Sequence, residues 1–187
     1  DVYAVSAGSR IDLVTEVTIP APYKGIPVAY ISGNAFANRT NLKVINLPET
    51  IEQISLISPF AGCSSLEAIN VYDVEGVADP VYTSVDGVLL QTLASGKTKL
   101  TLVPMAKTGT YRIPAGVTEI PEAAFANSKL TKVIVSAEVT LIGREAFRDA
   151  TKLTSVVFEV AADGTSNPLT IGTRAFMNCT SLAKITL

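Results

Sequence analysis

Hydrophobic positions along this chain recur with a long, fixed period. Phe36, Phe125, Phe147 and Phe176 each follow an alanine, and Phe60 follows Pro59 in a variant of the same pattern. Six residues after the Phe stands a leucine (Leu42, Leu66, Leu153, Leu182), with Leu130 arriving after five. Three residues past each leucine lies Ile45, Ile69, Val133, Val156 or Ile185, and two further on Leu47, Val71, Val135, Phe158 or Leu187. Five before the Phe stand Ile31, Ile120, Ile142 and Ile171, with Ile54 at six, and three before most of these come Val28, Ile51, Val117 and Val139.

The pattern is V-x-x-I-x-x-x-A-F-x-x-x-x-x-L-x-x-[IV]-x-[LVF], in five copies of about 22–24 residues, a period in the leucine-rich repeat range. L-x-x-I-x-L predicts a short strand with alternating inward positions. The A-F segment predicts a tight turn or short helical turn whose Phe plugs the coil. One such coil cannot bury its apolar edge, whereas stacked coils can. The expected fold is a leucine-rich repeat solenoid, β-rich with short turns or 3-10/helical segments. It is expected to form a right-handed superhelix of about five coils with a β-hairpin insert.

The alternation resembles the BspA-type leucine-rich repeat, common in surface proteins of Bacteroides-like bacteria and some protists. Val17-Thr18-Ile19-Pro20 running to Val28 is similar to that family's lead-in. So is the segment from Tyr82 through Leu90 to Val103-Pro104 and Tyr111-Arg112-Ile113-Pro114. The resemblance covers residues 14 to 187. It implies a non-catalytic, extracellular protein-interaction or adhesion module of a bacterial surface protein, secreted or on the cell surface after loss of a signal peptide. The alternative it leaves is a glycan-binding or scaffolding component of a surface assembly.

The chain reads as one domain. Residues 1–27 form an N-terminal cap whose Thr15–Ile19 strand covers the first coil, residues 28–71 hold coils one and two, and residues 114–187 hold coils three to five. Between them, 72–113 breaks the period. Two strand-like runs there, Val85–Leu93 and Thr98–Val103, flank Ala94-Ser95-Gly96-Lys97, which predicts a hairpin turning at Gly96. Ala161–Pro168 is a polar loop within the repeats. The last coil ends on its strand at Leu187, so a continuing chain or a partner is expected to cover that edge.

Composition narrows the chemistry. Of 187 residues 48% are hydrophobic but only 6% aromatic, with no Trp and no His. The apolar mass is therefore aliphatic and suited to ladders between coils. Without His, Ser-His-Asp and Cys-His catalysis and His-containing zinc sites drop out, and no convincing carboxylate pair is present. No enzyme activity, cofactor or metal site is expected. Net charge is −2, without the clustered basic stripe that nucleic-acid binding needs. No apolar run reaches the length of a membrane span.

Several short motifs have ordinary explanations. Ser181-Leu182-Ala183-Lys184 matches S-x-x-K, but Leu182 is the repeat leucine and Lys184 lies on the following strand, not one helical turn away. Gly96-Lys97-Thr98 lacks the upstream glycine of a phosphate loop, since position 91 is Gln91. Asp73, Glu75 and Asp79 read as a solvated turn. Asn38-Arg39-Thr40 and Asn178-Cys179-Thr180 are formal glycosylation sequons at one repeat position. Cys63 and Cys179 share the position three after the Phe. They are about three coils apart, roughly 14 Å at one strand spacing per coil, too far for a disulfide, so free buried thiols are expected.

With the inward positions spent on stacking, function falls to the outward ones. These are Val44 and Asn46, Ala68 and Asn70, Lys132 and Ile134, Ser155 and Val157, Lys184 and Thr186, with Tyr72 extending the second strand. Val44, Ile134 and Val157 are apolar at positions expected to be exposed, and such patches mark partner surfaces. The expected partner is a protein of host, matrix or bacterial surface, or a glycan. The absence of Trp and the scattering of the six Tyr disfavour sugar stacking. The hairpin insert is the second candidate surface.

Overall fold

The computed structural model describes residues 3–5, 13–55, 59–161, 164 and 168–186. Leu187 and most of the expected polar loop, residues 162, 163 and 165–167, lie outside the described residues. Among the described residues there are strands and turns and no α-helix. The chain forms two compact units, residues 1–92 and 93–187, with the boundary inside the segment that breaks the repeat.

Among its described residues the first unit holds nine strands. They are β1 (Tyr3–Val5), β2 (Glu16–Thr18), β3 (Pro22–Tyr23), β4 (Ile26–Ile31), β5 (Val44–Pro48), β6 (Gln53–Ile54), β7 (Ala68–Tyr72), β8 (Tyr82–Val85) and β9 (Val88–Thr92). Strands β2, β5 and β7 stack in parallel as rungs of one sheet, with Val17 opposite Ile45 and Ile45 opposite Ile69. A second sheet forms where β4 pairs in parallel with β1 and β6 and antiparallel with β3. The expected cap strand is thus itself a rung.

The second unit holds β10 (Thr98–Leu102), β11 (Thr108–Arg112), β12 (Glu119–Ile120), β13 (Lys129–Val135), β14 (Leu141–Ile142), β15 (Ser155–Phe158), β16 (Thr170–Ile171) and β17 (Lys184–Thr186). One parallel sheet runs β11-β13-β15-β17 and a narrower one β12-β14-β16. With β2 and β11 added, the rungs exceed the five copies read from the spacing. The periodicity missed β11 because it carries no A-F turn. Tyr111, fully buried, fills the register position opposite Val133 and packs 6.2 Å from the Phe125 ring.

The core matches the period. Leu42, Ile45, Leu47, Ile69, Leu130, Val133, Leu153 and Val156 are wholly buried. The Phe rings form stacks: Phe36 on Phe60 at 5.8 Å, Phe125 on Phe147 at 4.8 Å and Phe147 on Phe176 at 5.0 Å between centroids, with planes within 11°. The A-F segments are turns, not helices, and the reason is local. The residues two before and two after the Phe both have positive φ in three copies of the second unit: Ala123 and Asn127, Glu145 and Asp149, Arg174 and Asn178. The first unit repeats this with Asn34 and Asn38, and with Gly62 after Phe60. Two left-handed residues around one Phe reverse the chain before a helical hydrogen bond can propagate. The freed amides bond to the next coil instead: Phe125 N–H to the Ala146 carbonyl at 2.7 Å and Asn127 N–H to Arg148 at 2.8 Å.

The structure adds a hairpin ahead of the expected one. In the first unit β8 and β9 pair antiparallel across Asp86-Gly87, both with positive φ, the geometry of a type I′ turn that Asp-Gly favours. The turn at Gly96 also exists, closed by Leu93 N–H on the Lys97 carbonyl at 2.8 Å. The β8–β9 hairpin lies where the next rung after β7 would be. Ile69 N–H donates to the Gly87 carbonyl at 2.9 Å and Val71 N–H to Ser84 Oγ at 2.8 Å.

Candidate functional site

Parallel in-register pairing places equivalent outward residues in rows, because neighbouring rungs lie about 4.8 Å apart. In the first unit Val44 stands opposite Glu16 and Ala68, and Asn46 opposite Thr18 and Asn70. The second row is a hydrogen-bonded chain. Asn70 Nδ2 donates to Asn46 Oδ1 at 3.0 Å, and Asn46 Nδ2 donates to Glu16 Oε1 at 2.8 Å and Thr18 Oγ1 at 3.0 Å. Such a ladder fixes the amides and leaves a polar, preorganised strip.

Two members of the expected surface are partly withdrawn from it. Tyr72 donates its hydroxyl to the Ile19 carbonyl at 2.6 Å, so its ring is tied down, and burial pushes its phenol pKa up. Ala68 lies under the hairpin turn: a Cβ at Gly87 would come within 2.6 Å of the Ala68 Cβ.

In the second unit Lys132, Ser155 and Lys184 form one row, and Ile134, Val157 and Thr186 the next, headed by Arg112. Val44, Ile134 and Val157 are half-buried, not exposed as the alternation predicts, because close rungs shield side chains along a row. Arg112 is bound to Glu159. Thr131 and Thr154 donate their hydroxyls to the carbonyls of Gly109 and Thr131 on the preceding rungs, at 3.0 and 2.8 Å. The structure therefore brings the expected residues together as two patches, one on each unit.

Away from the rungs, Glu145 is buried at 6% exposure and clasped by Arg144 and Arg148. The hydrogen bonds from Arg144, with those from Arg148, hold its carboxyl below the usual range despite burial. A cleft of about 430 Å³ in the first unit is lined by Pro27, Ile51 and Val81 with Glu49, Glu52 and Asp79 at its polar parts. Glu49 Oε1 accepts the Val74 N–H at 2.7 Å. Among the described residues, no three Cys, Asp or Glu side chains converge as a metal site would require. No helix there is long and apolar enough to cross a membrane. Both cysteines are free, and burial raises both thiol pKa values.

The Asn ladder and the Glu145 clasp were missed by sequence reasoning. The first had a signal, Asn46 and Asn70 at one repeat position. The second had only the adjacent charges of Arg144-Glu145 and Arg148.

The family model described as BspA type Leucine rich repeat region matches residues 13–80 and 106–187, in six copies. No curated protein matches the chain. Among solved structures, a leucine-rich repeat protein from Eubacterium ventriosum is 21% identical with a TM-score of 0.51, over 92% of this chain and 54% of that one. The pneumococcal vaccine antigen PcpA is 19% identical with a TM-score of 0.48, over 91% of this chain and 56% of that one. A leucine-rich repeat protein of T. pallidum is 20% identical with a TM-score of 0.40, over 98% of this chain and 62% of that one. The chain thus spans about half to three-fifths of these structures' lengths.

Proposed function

The chain belongs to the BspA-type leucine-rich repeat family, and from that premise we propose that it is a non-catalytic binding module, working in adhesion or protein interaction at a bacterial surface. The rung face of the first unit is its protein-binding surface. The observation that carries this reading is the Asn70–Asn46–Glu16 chain: three rungs hold outward polar groups in a fixed line that the core does not need. A strip preordered in this way loses little freedom on binding. Secretion or cell-surface location follows from the same reading. Neutral-sugar stacking has less support, because Tyr72, the aromatic on this face, is committed to Ile19.

The test is binding to a panel of immobilised host matrix proteins beside a neutral glycan array. The reading expects saturable binding to at least one protein, weakened by Asn46→Ala with Asn70→Ala at unchanged fold. Binding to neutral glycans alone, abolished by Tyr72→Ala, would overturn it.

A further inference from the structure

The net charge of −2 conceals a strong asymmetry. Residues 1–92 carry four Lys or Arg against ten Asp or Glu, a net −6, and residues 93–187 carry eleven against seven, a net +4. In the second unit four of the lysines lie on or beside the rungs. Lys129 and Lys152 occupy one repeat position on adjacent coils, just before Leu130 and Leu153. Lys132 and Lys184 share one register row, two rungs apart.

None of these four lysines makes an ion pair or side-chain hydrogen bond with a described residue, and Lys129, Lys152 and Lys184 are exposed. Glu159, directly after β15, is held by Arg112. The first unit handles charge in the opposite way: Lys43 and Glu67, at one repeat position on adjacent coils, pair at 3.6 Å. Lys132 and Lys184 flank Ser155 in one row without a partner among the described residues, which leaves positive charge there for a ligand to neutralise.

We propose that the rung face of the second unit binds a linear anionic polysaccharide, bearing sulfate or carboxylate groups. Two features choose this class over a protein. Protein interfaces are depleted in Lys and enriched in aromatics, and this face has lysines and no outward aromatic. Lys132 and Lys184 also recur in one register row two rungs apart, at about 4.8 Å per rung, as charges recur along an extended sugar chain. Ammonium groups on flexible stems suit such spaced point charges. This inference goes beyond the protein-binding reading, which rests on the first unit's Asn strip.

The test is binding of the whole chain to immobilised dextran sulfate, with neutral dextran as the blank. Lys132→Gln with Lys184→Gln is compared with Lys97→Gln with Lys99→Gln, which removes the same charge elsewhere in the second unit. We expect salt-sensitive binding that the first pair weakens about tenfold and the second by less than about threefold, as loss of specific polyanion contacts requires. Absence of binding, or equal loss in both pairs, would overturn the proposal. So would competition by polyglutamate or duplex DNA at lower charge concentration than the polysaccharide itself. The Asn46 and Asn70 variants should bind dextran sulfate normally, so failure here leaves the matrix-protein assay free to succeed.

Discussion

Cys63 Sγ donates to the Phe36 carbonyl oxygen of the preceding coil at 3.0 Å, and Cys179 makes the same contact with Phe147. The thiol three residues after one Phe thus ties down the backbone of the previous Phe. Ser128 and Ala150, both buried, occupy that position in other copies. Cys63 is buried and Cys179 half-buried, and desolvation raises both pKa values, which lowers the reactive thiolate fraction. Under native conditions a thiol reagent should modify Cys179 first and Cys63 only on unfolding. Rapid labelling of Cys63 in the folded chain would contradict this packing.

Phe147 lies between the rings of Phe125 and Phe176. Phe147→Ala should lower stability by about 3–5 kcal/mol, read from urea denaturation. A cost under about 1 kcal/mol would mean that the ring stack does not hold the coils together.

Asn127 has a φ of 60°. A β-branched residue there meets the left-handed penalty, so Asn127→Val should cost about 1–2 kcal/mol, whereas Asn127→Gly should be near neutral. Gly143 poses the opposite problem. Its Cα faces the preceding coil so closely that an added Cβ would lie 2.6 Å from the Glu122 nitrogen. Gly143→Ala should cost about 1–3 kcal/mol through overpacking, as a lowered thermal midpoint.

These positions show how far the sequence could be read. The spacing of Phe36, Leu42 and Ile45 gave the coil, its strand and its inward face, because stacking imposes one residue type at each such position. The residues two after each Phe, Asn38, Gly62, Asn127, Asp149 and Asn178, are all types that tolerate positive φ, a signal that two sequon matches obscured. Two before the Phe, however, Ala123, Glu145 and Arg174 adopt the same backbone with no matching preference. Neighbouring coils impose it there, and nothing local announces it. The outward rows were legible as positions. Their hydrogen bonds were not, since Asn46 meeting Glu16 depends on register between segments 30 residues apart.

The Glu145 carboxyl, lowered first by the Arg144 hydrogen bond, stabilises the fold above the unfolded carboxyl pKa of about 4.3. That contribution fades as pH falls through the lower folded value. Glu145→Gln should therefore reduce the thermal midpoint at neutral pH, with the gap to the parent chain closing in acid. A gap independent of pH would show that the clasp is not ionic.

The most direct measurement is matrix-protein binding by the chain with Asn46→Arg and Asn70→Arg on the rung face, against Glu52→Arg and Gln53→Arg on the exposed positions of β6 and its approach. Both pairs add bulk and positive charge to the same unit. The expected result is loss of binding in the first pair alone, with both retaining cooperative melting. Loss in the β6 pair with binding intact in the rung pair would contradict the claim that the outward rungs are where this protein meets its partner.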